Sequence, residues 1–228
     1  MGTVKRQELR ALVENLGQKE TEALGIDLSR ETDEEIFKWF FVSVLFGAPI
    51  TESAVIKTYK RFEKHHVLTP KGILDAGWDR LVEILDEGGY TRYDFKTADK
   101  LLLVSRNLFE KYGGSLAEVH RQSADARDLE RRLKALGKGI GDVTVSIFLR
   151  ELRDVWQKTD AYPIPLVIAA AEQLGIVKRG IAPEDALREL RAFWRKNGMD
   201  GHSYVNFETV LLRLAKDYLR KGRCFPFH

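Results

Sequence analysis

The sequence predicts an all-α fold. Apolar residues recur at helical spacing almost from end to end, and caps and breakers divide the chain into helix-length pieces. No Val/Ile/Thr alternation is long enough to build a sheet. A first helix fits 5–24 and is stopped by Gly25. Thr32 reads as an N-cap, with Glu35 three residues on as its reciprocal partner. The helix it opens runs through Phe37, Trp39, Phe40, Phe41 and Leu45 to Gly47. It is apolar on nearly every side between Trp39 and Leu45, so it is expected at the centre of a bundle. Gly47-Ala48-Pro49-Ile50 is a turn, and Thr51 caps a helix over 51–64. Further helices fit 69–76, 78–87, 93–112, 115–122 and 124–136, then 141–156, 163–174, 183–196 and 203–221. Thr69-Pro70 and Ala182-Pro183 put proline in the first turn, where its missing N–H costs nothing.

Composition bounds the function. The single cysteine, Cys224, excludes an internal disulfide and a four-cysteine zinc or iron–sulfur site built from one chain. His65 and His66 are adjacent and do not share a helix face, so no metal pair is expected there. The longest apolar run, 39–45, is far short of the roughly 20 residues that span a bilayer. Met1 to Arg10 is polar and predicts no secretory leader. The expected location is therefore intracellular and reducing, cytoplasmic or nucleoid-associated, with no membrane partner. A net charge of +3 permits nucleic-acid binding without arguing for it.

The most informative stretch is Leu136-Gly137-Lys138-Gly139-Ile140-Gly141-Asp142-Val143-Thr144. A helix ends, two glycines flank Ile140, and a new helix begins. Glycine allows positive φ and close approach of another backbone. The first N–H groups of the new helix have no intrahelical partner and suit a phosphate. Lys134 and Lys138 add charge nearby. On the local pattern alone, a plain glycine turn fits as well as a phosphate site.

The order of motifs resembles the helix-hairpin-helix superfamily of DNA glycosylases, the endonuclease III-like proteins. Residues 136–149 resemble its hairpin. Val44 to Glu52 resembles the early helix-turn segment that faces DNA. Gly88-Gly89-Tyr90 with Lys96-Thr97-Ala98 resembles its Gly-x-Tyr…Lys-Ala segment, and Asp160 follows the hairpin at about the family's spacing to its aspartate. The resemblance covers roughly 36–171. It implies two interlocked helical domains, 31–157 holding the hairpin and 1–30 with 158–228 formed by the terminal helices.

The departures are specific. Bifunctional members carry a lysine two residues after the second hairpin glycine, where this chain has Val143, which cannot form a Schiff base. Pro49 stands at the base-displacing glutamine, and Gly89 stands where an apolar wedge is common. Arg223-Cys224 looks like a remnant of the first cluster cysteine, so no iron–sulfur cluster is expected.

The resemblance makes Asp160 the catalytic carboxylate, stabilising an oxocarbenium-like sugar and assisting water. From the local sequence alone, Asp160 reads more readily as an N-cap of the following helix. Double-stranded DNA with a damaged base is the implied partner, and a buried target base must be flipped out. Contacts to DNA are expected from Lys134, Lys138, Gly139, Ile140, Gly141, Val143, Pro49, Gly89 and Tyr90. Trp39, Phe46, Arg92 and Tyr93 are candidates for the base pocket, although helical spacing favours the core for Trp39 and Phe46. The family hairpin holds a monovalent cation (Na+ or K+) on backbone carbonyls, here those of Ala135, Gly137 and Ile140; no cofactor is required. The expected activity is that of a monomeric, monofunctional DNA N-glycosylase, acting on a damaged base, with alkylated bases among the candidates, and without AP-lyase activity. Two alternatives stay open: a catalytically silent helix-hairpin-helix protein that binds DNA structure, favoured by Val143, Pro49 and Gly89, and a helical protein-interaction domain.

Overall fold

The computed structural model describes residues 4–223 and Phe225. Cys224, and with it the Arg223-Cys224 remnant, falls outside the described residues. Among the described residues every regular element is helical, as the sequence predicts. The chain divides into two compact units, Met1–Ala23 with Ala161–His228, and Leu24–Asp160. The dividing points thus fall after Ala23 and Asp160, against the expected 30 and 157.

The unit Leu24–Asp160 is built around α3 (Asp33–Phe46). Thr32 caps it, accepting from the Glu35 N–H at 3.3 Å. The Glu35 carboxylate accepts from the Asp27 N–H at 2.7 Å. Every residue from Trp39 to Leu45 is buried, as an all-round apolar helix requires. Phe40 meets Phe148 edge-on at 5.1 Å, and Phe41 meets Phe62 at 4.6 Å. α4 (Glu52–Lys64) is capped by Thr51 as expected. α5 (Pro70–Gly88) is capped by Thr69 and broken at Gly77, whose φ of 71° no helix accommodates. This is the division between 76 and 78 that the glycine predicts. Gly88 lies so close to α4 that a Cβ there would sit 2.5 Å from the Thr58 Cα. α6 (Asp94–Tyr112), α7 (Leu116–Gln122), α8 (Ala126–Lys134) and α9 (Asp142–Glu151) complete the unit. α9 ends at Glu151 rather than 156. A 3-10 turn, Leu152–Asp154, follows and releases Trp156 to stack on His120 with ring centroids 4.5 Å apart.

In the other unit the single helix expected over 5–24 is two, α1 (Arg6–Leu16) and α2 (Glu20–Leu24). The break is made from afar. The Asn206 side-chain amide donates to the Gly17 carbonyl at 2.9 Å and Arg213 donates to that of Leu16 at 2.8 Å, satisfying carbonyls the helix end leaves open. Both come from α12 (Tyr204–Asp217). Its buried face, with Phe207, Val210, Leu211 and Leu214, shares a core with Val167 and Ala171 of α10 (Pro165–Gln173) and Leu190 of α11 (Pro183–Asn197). Trp194 stacks on Phe207 at 5.4 Å.

Candidate functional site

The hairpin joins α8 to α9 through seven residues. Leu136 and Ile140 are buried and pin it. The Ile140 N–H closes the turn on the Gly137 carbonyl at 3.1 Å, and Asn107 of α6 donates to the Leu136 carbonyl at 2.8 Å. Gly139 has φ +91°, a conformation that disfavours any side chain. Gly141 is the N-cap of α9 and brings no side chain to cap it. The opening N–H groups of α9 therefore keep their donor capacity for a ligand. Val143, at the second helical position, is 55% exposed.

The three segments singled out in the sequence meet here. Gly47, at the end of α3, lies against Thr144 of α9, where a Cβ would come within 2.4 Å of the threonine hydroxyl. Ala48, Tyr93 and the first turns of α6 share a cavity of about 580 Å³ with Lys138 and Gly139. Pro49 and Gly89 are exposed beside these turns in the chain. Gly89 caps α5 with φ 85°, so its glycine has a backbone reason.

Other expected residues have different roles. Tyr90 is fully buried and its hydroxyl donates to the Leu45 carbonyl at 2.7 Å. Burial pushes that hydroxyl's pKa up to about 12. It is a core residue, not a DNA contact. Trp39 is likewise fully buried with its indole N–H on the Phe148 carbonyl at 3.0 Å, and so does not line a base pocket. Phe46 is half-buried at the end of α3. Arg92 is exposed with its guanidinium 5.5 Å from the Tyr93 ring centre. Lys134 is ion-paired with Asp142 across the hairpin, which neutralises a carboxylate that would repel phosphate at the helix start. Within the cavity the sequence reading had Lys96 only as part of the Gly-x-Tyr…Lys-Ala segment, not as a contact, and missed Lys100; the two lie four residues apart on one face of α6. That spacing was the available signal.

Asp160 closes this unit, exposed in the segment before α10. It does not cap α10: Ile164 is the N-cap and Pro165 the first helical residue. Its neighbours are fixed. The Lys158 ammonium donates to the carbonyls of His120, Arg121 and Ser123, closing the end of α7. Thr159 is buried, donates to the Trp156 carbonyl at 2.9 Å, and accepts from Arg153 on its own carbonyl at 3.0 Å. Lys158 is thus committed to structure. Among the described residues no group of three His, Cys, Asp or Glu side chains is placed to hold a metal ion, and no helix is long and apolar enough to cross a membrane.

No protein-family model matches the chain, and no curated protein sequence matches it. Among solved structures it is similar to the 8-oxoguanine DNA glycosylase of Thermotoga maritima, with 20% identity over 92% of each chain and a TM-score of 0.55. At that identity the likeness is one of fold, and it runs nearly the full length of both proteins: the chain has the all-α fold of a DNA glycosylase.

Proposed function

We propose that the chain is a monofunctional DNA glycosylase, which excises a damaged base and leaves the strand uncut. The observation that carries this is the fold shared with a DNA glycosylase over 92% of both chains. The hairpin supports it, with its uncapped helix start and exposed Lys138. In this reading a duplex lies on the hairpin, backbone phosphates take the N–H groups of α9, and the target base is flipped out. As the base leaves, positive charge grows on the sugar, and the Asp160 carboxylate stabilises it and orients water toward C1′. The water's proton is passed to the carboxylate or the departing base. The anchors at Lys158 and Thr159 fix the backbone that presents Asp160, so little reorganisation is left for the reaction. Val143 offers no amine, so no imine forms and the abasic product stays intact. A monovalent cation on the carbonyls of Ala135, Gly137 and Ile140 fits this arrangement, since the turn bond from Ile140 uses only one lone pair of the Gly137 oxygen; it would help hold phosphate. The protein would act as a monomer, without an iron–sulfur cluster. Alkylated purines are the first substrates to test, and 8-oxoguanine joins them because the similar structure is an 8-oxoguanine glycosylase.

The test uses labelled duplexes with single alkylpurine, 8-oxoguanine, uracil or hypoxanthine lesions, with and without hot alkali, beside Asp160→Asn. Cleavage only after alkali, lost in the variant, is expected. Duplex binding with no excision of any lesion would instead favour the silent DNA binder.

A further inference from the structure

The cavity behind the hairpin holds a cation in an unusual setting. Lys96, Lys100 and Lys138 line it. Lys96 and Lys138 are exposed, while Lys100 is half-buried. Among the described residues no carboxylate pairs with the Lys100 ammonium, and burial alone holds its pKa below the usual lysine range. The carboxylate that shares the cavity, Asp99, accepts from the Trp78 indole N–H at 2.9 Å. Lys100 is also fitted to the hairpin. A Cβ on Gly139 would stand 2.8 Å from the Lys100 Cε, so the hairpin glycine leaves room for the lysine stem. A half-buried, unpaired charge weakens a fold, and this one sits against the loop read as the DNA contact.

We propose that this cavity seats one phosphate of the DNA backbone, with Lys100 as its inner cation and Lys96 and Lys138 at its rim. The inference rests on the DNA-binding part of the proposed function and not on base excision. A phosphate there would supply the missing counter-charge, and Lys100 would release a condensed counterion from the duplex on binding.

The experiment measures binding of an undamaged duplex of about two helical turns from low to moderate salt. It compares wild type with Lys100→Met, Lys100→Gln and Lys111→Met. Lys111 is an exposed lysine about 16 Å along the same helix, by its rise of about 1.5 Å per residue. Each phosphate contact contributes about 0.9 to the slope of log K against log salt, which is about eight-fold in affinity between 0.1 M and 1 M salt. Both Lys100 variants are expected to lose about that slope and affinity, Lys111→Met neither. Their melting temperatures are expected to match or exceed wild type, because the unpaired charge is gone. Wild-type slope and affinity in the Lys100 variants would overturn the proposal, as would an equal loss in Lys111→Met. A marked fall in melting temperature would make Lys100 structural and also overturn it. A parallel titration with inorganic phosphate and a nucleoside monophosphate separates the sources: binding lost in Lys100→Met with duplex binding intact would assign the cavity to a free phosphate ligand, against the proposal. Lesion excision in the same preparations keeps the two readings apart. A reduced slope with no excision of any lesion leaves the phosphate seat standing without the glycosylase, and excision with an unchanged slope does the reverse.

Discussion

Replacing Val143 with lysine tests the assignment of the hairpin's chemistry. Val143 is 55% exposed at the second position of α9, so the substitution removes no core contact. A surface change of this kind costs within about 0.5 kcal/mol either way. A cation at a helix N-terminus adds an unfavourable term of about 0.3–1 kcal/mol. Lysine's better helix propensity than valine's offsets part of that. Together these predict a melting temperature no more than about 4 °C below wild type for a chain of this size. The same helix dipole that disfavours the cation favours the neutral amine, which is the nucleophile. The introduced amine would attack C1′ of the abasic sugar, and loss of water would leave an imine. The expected outcome is strand cleavage without alkali and a covalent complex trapped by borohydride, both absent in wild type. A folded V143K protein that still excises bases but traps no complex would refute the reasoning, because residue 143 would then not face the sugar. Trapping by the wild-type protein would refute it from the other side.

Three further outcomes follow from the geometry. Tyr90→Phe removes the buried bond to the Leu45 carbonyl and should cost about 0.5–1.5 kcal/mol in chemical denaturation, with duplex affinity unchanged; weaker binding with a shallower salt slope would return Tyr90 to the DNA surface. The Tyr90 hydroxyl, raised to about 12 by burial, stays neutral in the folded chain where an unfolded tyrosine ionises near 10. Stability fully present below pH 10 is therefore lost as pH rises from about 10 to 12, and Tyr90→Phe should flatten that loss; an equal alkaline loss in the variant would count against it. Gly47→Ala drives a methyl to 2.4 Å from the Thr144 hydroxyl and should cost about 1–3 kcal/mol and weaken duplex binding by shifting the first turn of α9. Adding Thr144→Ala should recover much of both, and a double variant no better than the single one would contradict the contact.

What the sequence disclosed, and what it hid, follows the range of the interactions involved. The caps at Thr32 and Thr51 were legible because each hydroxyl accepts an N–H three residues away. The break at Gly77 was legible because only glycine settles at φ 71°. The break after Leu16 was not, because the groups that satisfy the helix end lie 189 and 197 residues further on. Nor was the early end of α9, where a periodic apolar pattern continues while Trp156 turns away to His120. Tyr90 reads as a DNA contact, and Trp39 as a pocket candidate whose helical spacing favours the core; what settles both is that their polar atoms find carbonyls on Leu45 and Phe148, 45 and 109 residues distant. The hairpin lies between these cases. Its glycines report the backbone directly, so Gly139 could be placed from the pattern, but the side chain that fills the space beside Gly139 comes from α6. Lys100 has no motif of its own. A lysine is legible as a surface charge by default, and only the meeting of α6, the end of α3 and the hairpin around one cavity gives this one a reason to be half-buried and unpaired among the described residues. A backbone device can thus be read from the glycines that permit it, whereas the cation it works with becomes visible only when the fold brings the segments together.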